Sequence, residues 1–383
     1  MTTPIRPPTG PQPPILPLRA ILVVKLADIG DVITSTPALR ALRQTYPQAR
    51  LDVLVTPHSA PALTGTGLVD DIIRFDKFQF DRPADALRPA SLRAAASLAL
   101  TLRRRRYDAV VILHHLTLPF GRLKYAALAF AAGARIRAGL DNGHGWFLTH
   151  RTPDAGFGAL HEVQYWLQVV NTLGARTDDI SLAAPCSPDA EEWAELTLSR
   201  WERTGGRRPF AVIHPGSGGY SLARRWPVER FAQLARELAR RHDLGLVLVG
   251  TAGDNVEELA RQCPDTALNL AGQTSLPQLA AVLRRAALFV GADSGVMHLA
   301  VAAGAPVIAL FGPTNADAWG PWTAGRSRAI VLQAGLPCQP CAYVGYAIGR
   351  REGCPSMECM HAIQVEDVLQ AVETILPPHL EEA

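Results

Sequence analysis

The stretch DSGVMHLAVAAGAPVIALFGPT, Asp293–Thr314, decides the fold. It follows the apolar run AALFVG (286–291), opens an Ala-rich helix and returns into a second apolar run, PVIALFG (306–312). Strand, small-residue turn and helix N-terminus together form a phosphate cradle. Backbone N–H groups without intrahelical acceptors meet the positive end of the helix dipole there. A phosphate-bearing ligand is the first expectation.

Similar short apolar runs recur along the chain. AILVVK (20–25), LDVLVT (51–56), AVVILHH (109–115), FAVIHPG (210–216) and LGLVLVG (244–250) read as buried strands, as do 287–293 and 306–312. Helical stretches are expected over 38–45, 161–172, 228–240, 255–263, 276–285 and 297–303. Alternation of this kind indicates parallel βαβ units. The pattern restarts. One set of strands ends before about Gly174; a polar stretch with Pro185 and Pro188 follows; a second set begins at Phe210. The expected fold is α/β, with two Rossmann-like doubly wound domains facing across a cleft. Its divisions are a Pro-rich tail (1–18), a first Rossmann-like domain (19–176), a linker (177–207), a second Rossmann-like domain (208–365) and a C-terminal helix and tail (366–383).

Composition sets bounds on function. Of 383 residues, 48% are hydrophobic and 19% charged, ordinary for a globular enzyme, and the net charge of +3 is too small to argue for nucleic acid, so no nucleic-acid partner is expected. Between Asp85 and Leu140, however, ten basic side chains face two acidic ones, with Arg103–Arg106 consecutive. A solvated helix end is the plain reading, and peripheral contact with an anionic membrane surface the sharper one. No apolar run reaches the roughly 18–20 residues of a membrane span. The N-terminal tail lacks the apolar core of a signal peptide, so a cytoplasmic location is expected, with contact at the inner face of the plasma membrane.

Four motifs carry chemistry. In KLADIGDVITSTPALRAL, Gly30 allows a tight turn and Asp31 projects from a strand end, as a general base or as a helix cap. Thr36 and Pro37 begin the next helix as cap and first residue; alternatively the helix starts at Asp31 and kinks at Pro37. In HPGSGGYSLARRWP, the small-residue loop Gly216–Gly219 admits a ligand to the backbone, and Arg224 and Arg225 are placed to neutralise a diphosphate. An ordinary turn is the plainer reading, and His214 reads as a structural histidine. In the opening stretch Asp293 closes a strand, Ser294 caps, Gly295 and Val296 offer N–H groups, and His298 lies one turn on. The dinucleotide fingerprint G-x-G-x-x-G is absent, as is any D-x-D pair that would clamp a metal on a diphosphate. Cys338, Cys341, Cys354 and Cys359 have spacing compatible with structural zinc, with reduced thiols the favoured reading, so no cofactor is expected.

Taken together, these stretches resemble glycosyltransferase family 9, the heptosyltransferases of lipopolysaccharide core assembly and their relatives. ILVVKLADIGDVITSTPALRALRQTYPQARLDVLV, HEVQYWLQVVNTLGA, HPGSGGYSLARRWPVERFAQLA and LAGQTSLPQLAAVLRRAALFVGADSGVMHLAVAAGAPVIALFGPTNADAW carry the resemblance, over roughly residues 19–375. It implies a GT-B fold and inverting, metal-independent transfer from a nucleotide sugar, typically ADP-heptose, to a lipid-linked saccharide acceptor. It implies Asp31 as the general base, with Gly30 in the acceptor-side loop. It implies donor contacts at Ser217, Gly218, Arg224, Asp293, Ser294, Gly295, Val296 and His298, with Arg224 where many members have lysine. Asp254 is a weaker candidate for the base or ribose. Other nucleotide sugars or acceptors, a nucleotide-sugar epimerase and an inactive binding module stay open as alternatives.

Overall fold

The computed structural model describes residues 14–80, 85, 88–218, 221–350 and 352–376. The chain divides into two α/β units. The first runs to Ile180, except that Thr64–Thr66 belong with the second, which begins at Ser181. Most of the sequence tail 1–18, part of the tail 366–383, and Gly219 of the small-residue loop lie outside the described residues.

Each unit is built on a six-stranded parallel sheet. The first contains β1 (Ala20–Lys25), β2 (Arg50–Val55), β3 (Asp71–Arg74), β4 (Ala109–Ile112), β5 (Ile136–Asp141) and β6 (His150–Pro153), in the order β3-β2-β1-β4-β5-β6. The second contains β7 (Phe210–His214), β8 (Gly245–Leu248), β9 (Leu268–Asn269), β10 (Leu288–Ala292), β11 (Val307–Leu310) and β12 (Ala329–Leu332), in the order β12-β11-β10-β7-β8-β9. Counted from β7, the second order repeats the first. Both sheets are doubly wound, so strands buried on both faces carry unbroken apolar runs, as in AILVVK, where all six residues are buried. The topology places a switch point between β1 and β4 in one unit and between β7 and β10 in the other.

Three hydroxyls shape the chain after β1. A helix spans Ile29–Thr34, breaks at Ser35, and resumes over Thr36–Thr45. Pro37 has no N–H to give the Ile33 carbonyl. The Thr36 hydroxyl donates to that carbonyl instead, at 2.6 Å. Ser35 and Thr34 donate likewise to Val32 O and Asp31 O, at 2.7 and 3.0 Å. Thr36 is therefore the first residue of the second helix, with Ser35 at the N-cap, and its hydroxyl serves the preceding helix. Gly30 is a buried residue inside the first helix, not the pivot of a tight turn.

Two further stretches differ in kind from their sequence reading. Residues 177–207, read as a linker, contain the helix Pro188–Arg203, capped by the Ser187 hydroxyl. This helix pairs Glu191 with Arg284 and Arg285 at the end of the helix Leu276–Arg284. In the basic stretch, Arg105 turns inward to Asp52 and Asp71, at 2.8 and 2.6 Å. Asp52 is fully buried and also accepts the Tyr107 hydroxyl, so one arginine of the run stabilises the sheet edge. No helix among the described residues is long and apolar enough to cross a membrane.

Candidate active site

Ligands of doubly wound sheets bind beyond the carboxyl ends of the strands, at the switch point. In the second unit that position is taken by the residues after β7 and β10. The helix Gly295–Ala303 starts directly after β10, with the Ser294 hydroxyl accepting from the Met297 N–H at 3.3 Å. Gly295 and Val296 form its half-buried first turn. First-turn amides lack intrahelical acceptors, and the helix dipole makes this end attractive to an anion.

Arg224 ties the two strand ends together. One guanidinium nitrogen donates to Asp293 Oδ2 at 3.2 Å, and the other to the Ser217 carbonyl at 2.6 Å. The structure thus assembles Ser217, Arg224, Asp293 and Ser294 around one point, although 77 residues of sequence separate the first from the last. The Ser217 side chain faces inward, donating to the Ser221 carbonyl at 2.6 Å and fixing the loop. Gly218 follows in the left-handed region at φ +69°, where a side chain would be strained. His298 is buried, its ring edge-on to Trp319 at 6.4 Å.

A second layer holds this loop. Asp254 accepts from the Thr251 N–H and hydroxyl at 2.8 and 2.7 Å, and from Arg225 at 3.1 Å. His214 Nε2 lies 3.8 Å from the same carboxylate. Burial pushes the Asp254 carboxyl up, but the neighbouring His214 and the bonds from Thr251 outweigh it and hold the group well below the usual carboxylate range. A Cβ on Gly216 would come within 2.2 Å of Asp254, so only glycine fits there. Asp254 therefore supports the arginine loop.

In the first unit the switch point is marked by Asp31. The carboxylate is one quarter exposed, and its Oδ1 lies 3.2 Å from the Lys25 ammonium, which is almost wholly buried at the end of β1. The same ammonium sits 4.1 Å from the Trp166 ring centroid, a cation–π contact. Trp166 in turn packs edge-on against His115, just after β4. His115 bridges two buried carboxylates: Nδ1 is 2.9 Å from Asp154 Oδ2, and Nε2 is 2.9 Å from Glu162 Oε1. Burial pushes His115 down, yet Glu162 and Asp154 raise it to about 9. The imidazolium is thus the buried cation that two buried carboxylates require.

Sequence reasoning missed Lys25, His115, Asp154, Glu162 and Trp166. Lys25 stood within a quoted motif and His115 ended a quoted strand. The available signal was a charged residue closing an apolar strand, which needs a buried partner.

Two doubly wound units, one presenting an anion-seeking helix tip and an arginine, the other a carboxylate at the equivalent strand end, have the parts of a GT-B glycosyltransferase. The chain belongs to glycosyltransferase family 9 (heptosyltransferase), whose model matches residues 95–346. It is 28% identical over 369 residues to lipopolysaccharide heptosyltransferase 3 of Escherichia coli K12, covering 91% of this chain and 95% of that one. It is 28% identical over 341 residues to lipopolysaccharide heptosyltransferase 2 of the same strain, covering 82% and 88%. Among solved structures, it is similar to the family 9 glycosyl transferase of Veillonella parvula, with a TM-score of 0.72, 24% identity and 94% and 97% coverage. The ADP-heptose LPS heptosyltransferase II of E. coli follows, with a TM-score of 0.69, 22% identity and 93% and 98% coverage. These likenesses establish the GT-B fold.

Proposed function

We propose that this glycosyltransferase moves a heptose from ADP-heptose onto the core saccharide of a lipopolysaccharide, by one inverting displacement without a metal ion. The observation that carries this reading is the near full-length similarity to lipopolysaccharide heptosyltransferases within the matched family. Displacement at the anomeric carbon develops positive charge on the sugar and negative charge on the departing diphosphate. The helix tip at Gly295–Val296 and Arg224 supply fixed positive charge for that diphosphate. Metal independence draws support from this charge and from the lack of a D-x-D pair in the sequence. Asp31 takes the proton of the acceptor hydroxyl as the new bond forms, its carboxylate oriented by Lys25. Transfer requires that hydroxyl to reach Asp31 and the donor's anomeric carbon at once.

Mass spectrometry after incubation with a panel of nucleotide sugars and heptose-deficient lipopolysaccharide tests this reading. An acceptor heavier by one heptosyl unit, formed from ADP-heptose, is expected. Transfer from a different nucleotide sugar alone would replace the donor in this account. In the same assay Arg224→Ala is expected to lower kcat/KM about 10²-fold, the scale for one lost charge-stabilising donor. An unchanged kcat/KM would remove Arg224 from the leaving-group site.

A further inference from the structure

Cys338, Cys341, Cys354 and Cys359 play no part in the chemistry above, yet the fold gathers them. They follow the spacing C-x2-C-x12-C-x4-C. All four line one small cavity of about 40 Å³, shared with Ala223, Pro313 and Gln339. Cys338 and Cys341 come from the loop after β12, Cys354 from the turn leading into the short helix Glu358–His361, and Cys359 from that helix. Each thiol stands within electrostatic reach of others.

The surrounding chain needs a staple. Between β12 and Glu358 the described residues form no helix and no strand, only isolated bridges such as Thr314 with Ala342. Loops of that length inside a compact domain are uncommon without their own reinforcement. Three of the four cysteines are exposed, although cysteine without a ligand or bridge is among the most buried residue types.

The same segment reaches both the Arg224 loop and the residues that follow β11. The Cys341 and Ala342 N–H groups donate to the Pro313 carbonyl at 2.9 and 2.8 Å. The Gln339 amide donates to the carbonyls of Phe311 and Gly312, at 3.2 and 2.7 Å. Gly353 lies so close to Ala223, the residue before Arg224, that a Cβ would come within 2.3 Å of the alanine methyl.

We propose that Cys338, Cys341, Cys354 and Cys359 form a tetrathiolate zinc site that fixes this segment against the Arg224 loop and the residues Phe311–Pro313 that follow β11. A closed set of four cysteines is a structural zinc donor set, offering no open position for catalysis. Among the described residues no three such side chains already stand in a coordinating arrangement, so binding draws the thiols in across the cavity. Four thiols release four protons as the ion binds, and no oxidation is involved. The site is independent of which sugar is transferred.

Elemental analysis of the full-length protein, purified without metal-affinity steps from zinc-supplemented medium, tests the proposal. About one zinc per chain is expected, released when a mercurial titrates the thiols. Cobalt substitution is expected to give the intense thiolate-to-metal absorption of a tetrahedral four-sulfur site. The double variant Cys338→Ser, Cys354→Ser is expected to lose the zinc and melt earlier, whereas Cys186→Ser, Cys263→Ser keeps it. If the first variant does not fold, zinc content and the cobalt spectrum of the unsubstituted protein still decide. Folded protein with no stoichiometric zinc and four freely reactive thiols would overturn the site, as would zinc that survives the double substitution.

Discussion

Asp31→Asn is expected to lower kcat by about 10²–10⁴-fold, the range for a lost general base, with donor affinity within a few-fold of the parent. The substitution keeps the shape of the side chain and an oxygen for the Lys25 ammonium, which lies 3.2 Å from Oδ1. It removes the capacity to accept the acceptor's proton. A buried lysine deprived of its partner would destabilise the first unit, and the amide oxygen limits that effect. Donor affinity by calorimetry and the melting temperature therefore accompany the rate measurement. A folded Asn variant that turns over within three-fold of the parent would exclude Asp31 as the base.

The second large effect is one of stability. His115→Ala leaves Asp154 and Glu162 buried without their shared cation, and is expected to cost about 3–5 kcal/mol, the scale for breaking a buried ionic group on one side. His115 is raised from 6.5 to about 9 in the fold. A group raised in this way contributes stability that is complete below the unfolded value and is lost as pH rises through the folded one. The parent protein should therefore lose roughly 2 kcal/mol from this group between neutral pH and pH ~10. His115→Gln should show a shallower alkaline decline than the parent. Thermal denaturation of both proteins across this window checks the difference, and identical slopes would mean that the hub does not carry the charge assigned to it. Because His115 reaches Asp31 only through Trp166 and Lys25, it acts as a positioning residue, and His115→Gln is expected to alter kcat more than donor KM.

Legibility in the sequence followed the range of the interactions. Unbroken apolar runs such as AILVVK and PVIALFG announced buried parallel strands, and the structure places strands within them. The strands that escaped notice are short or carry polar and glycine residues, as in DIIR, IRAGLD and the two-residue LN. Their strand state comes from pairing with neighbours, which a local pattern does not encode. The helix start after β10 was legible because Ser294, Gly295 and Val296 belong to one helix terminus. Joining Arg224 to Asp293 took the resemblance as well as the local motifs. The chain from Asp31 through Lys25 and Trp166 to His115, Asp154 and Glu162 had no such help, since it links β1, β4 and the helix Glu162–Asn171 through side chains alone. The break at Ser35 was foreseeable from Pro37, but not the repair by three successive hydroxyls.

In the proposed mechanism the acceptor hydroxyl, deprotonated by Asp31, attacks the donor's anomeric carbon in a single displacement. Nuclear magnetic resonance of the product formed in the presence of a metal chelator tests it most directly, through the one-bond carbon–proton coupling at the new anomeric centre. Continued turnover and a configuration opposite to that of the donor are expected; retention of the donor configuration would contradict a single displacement.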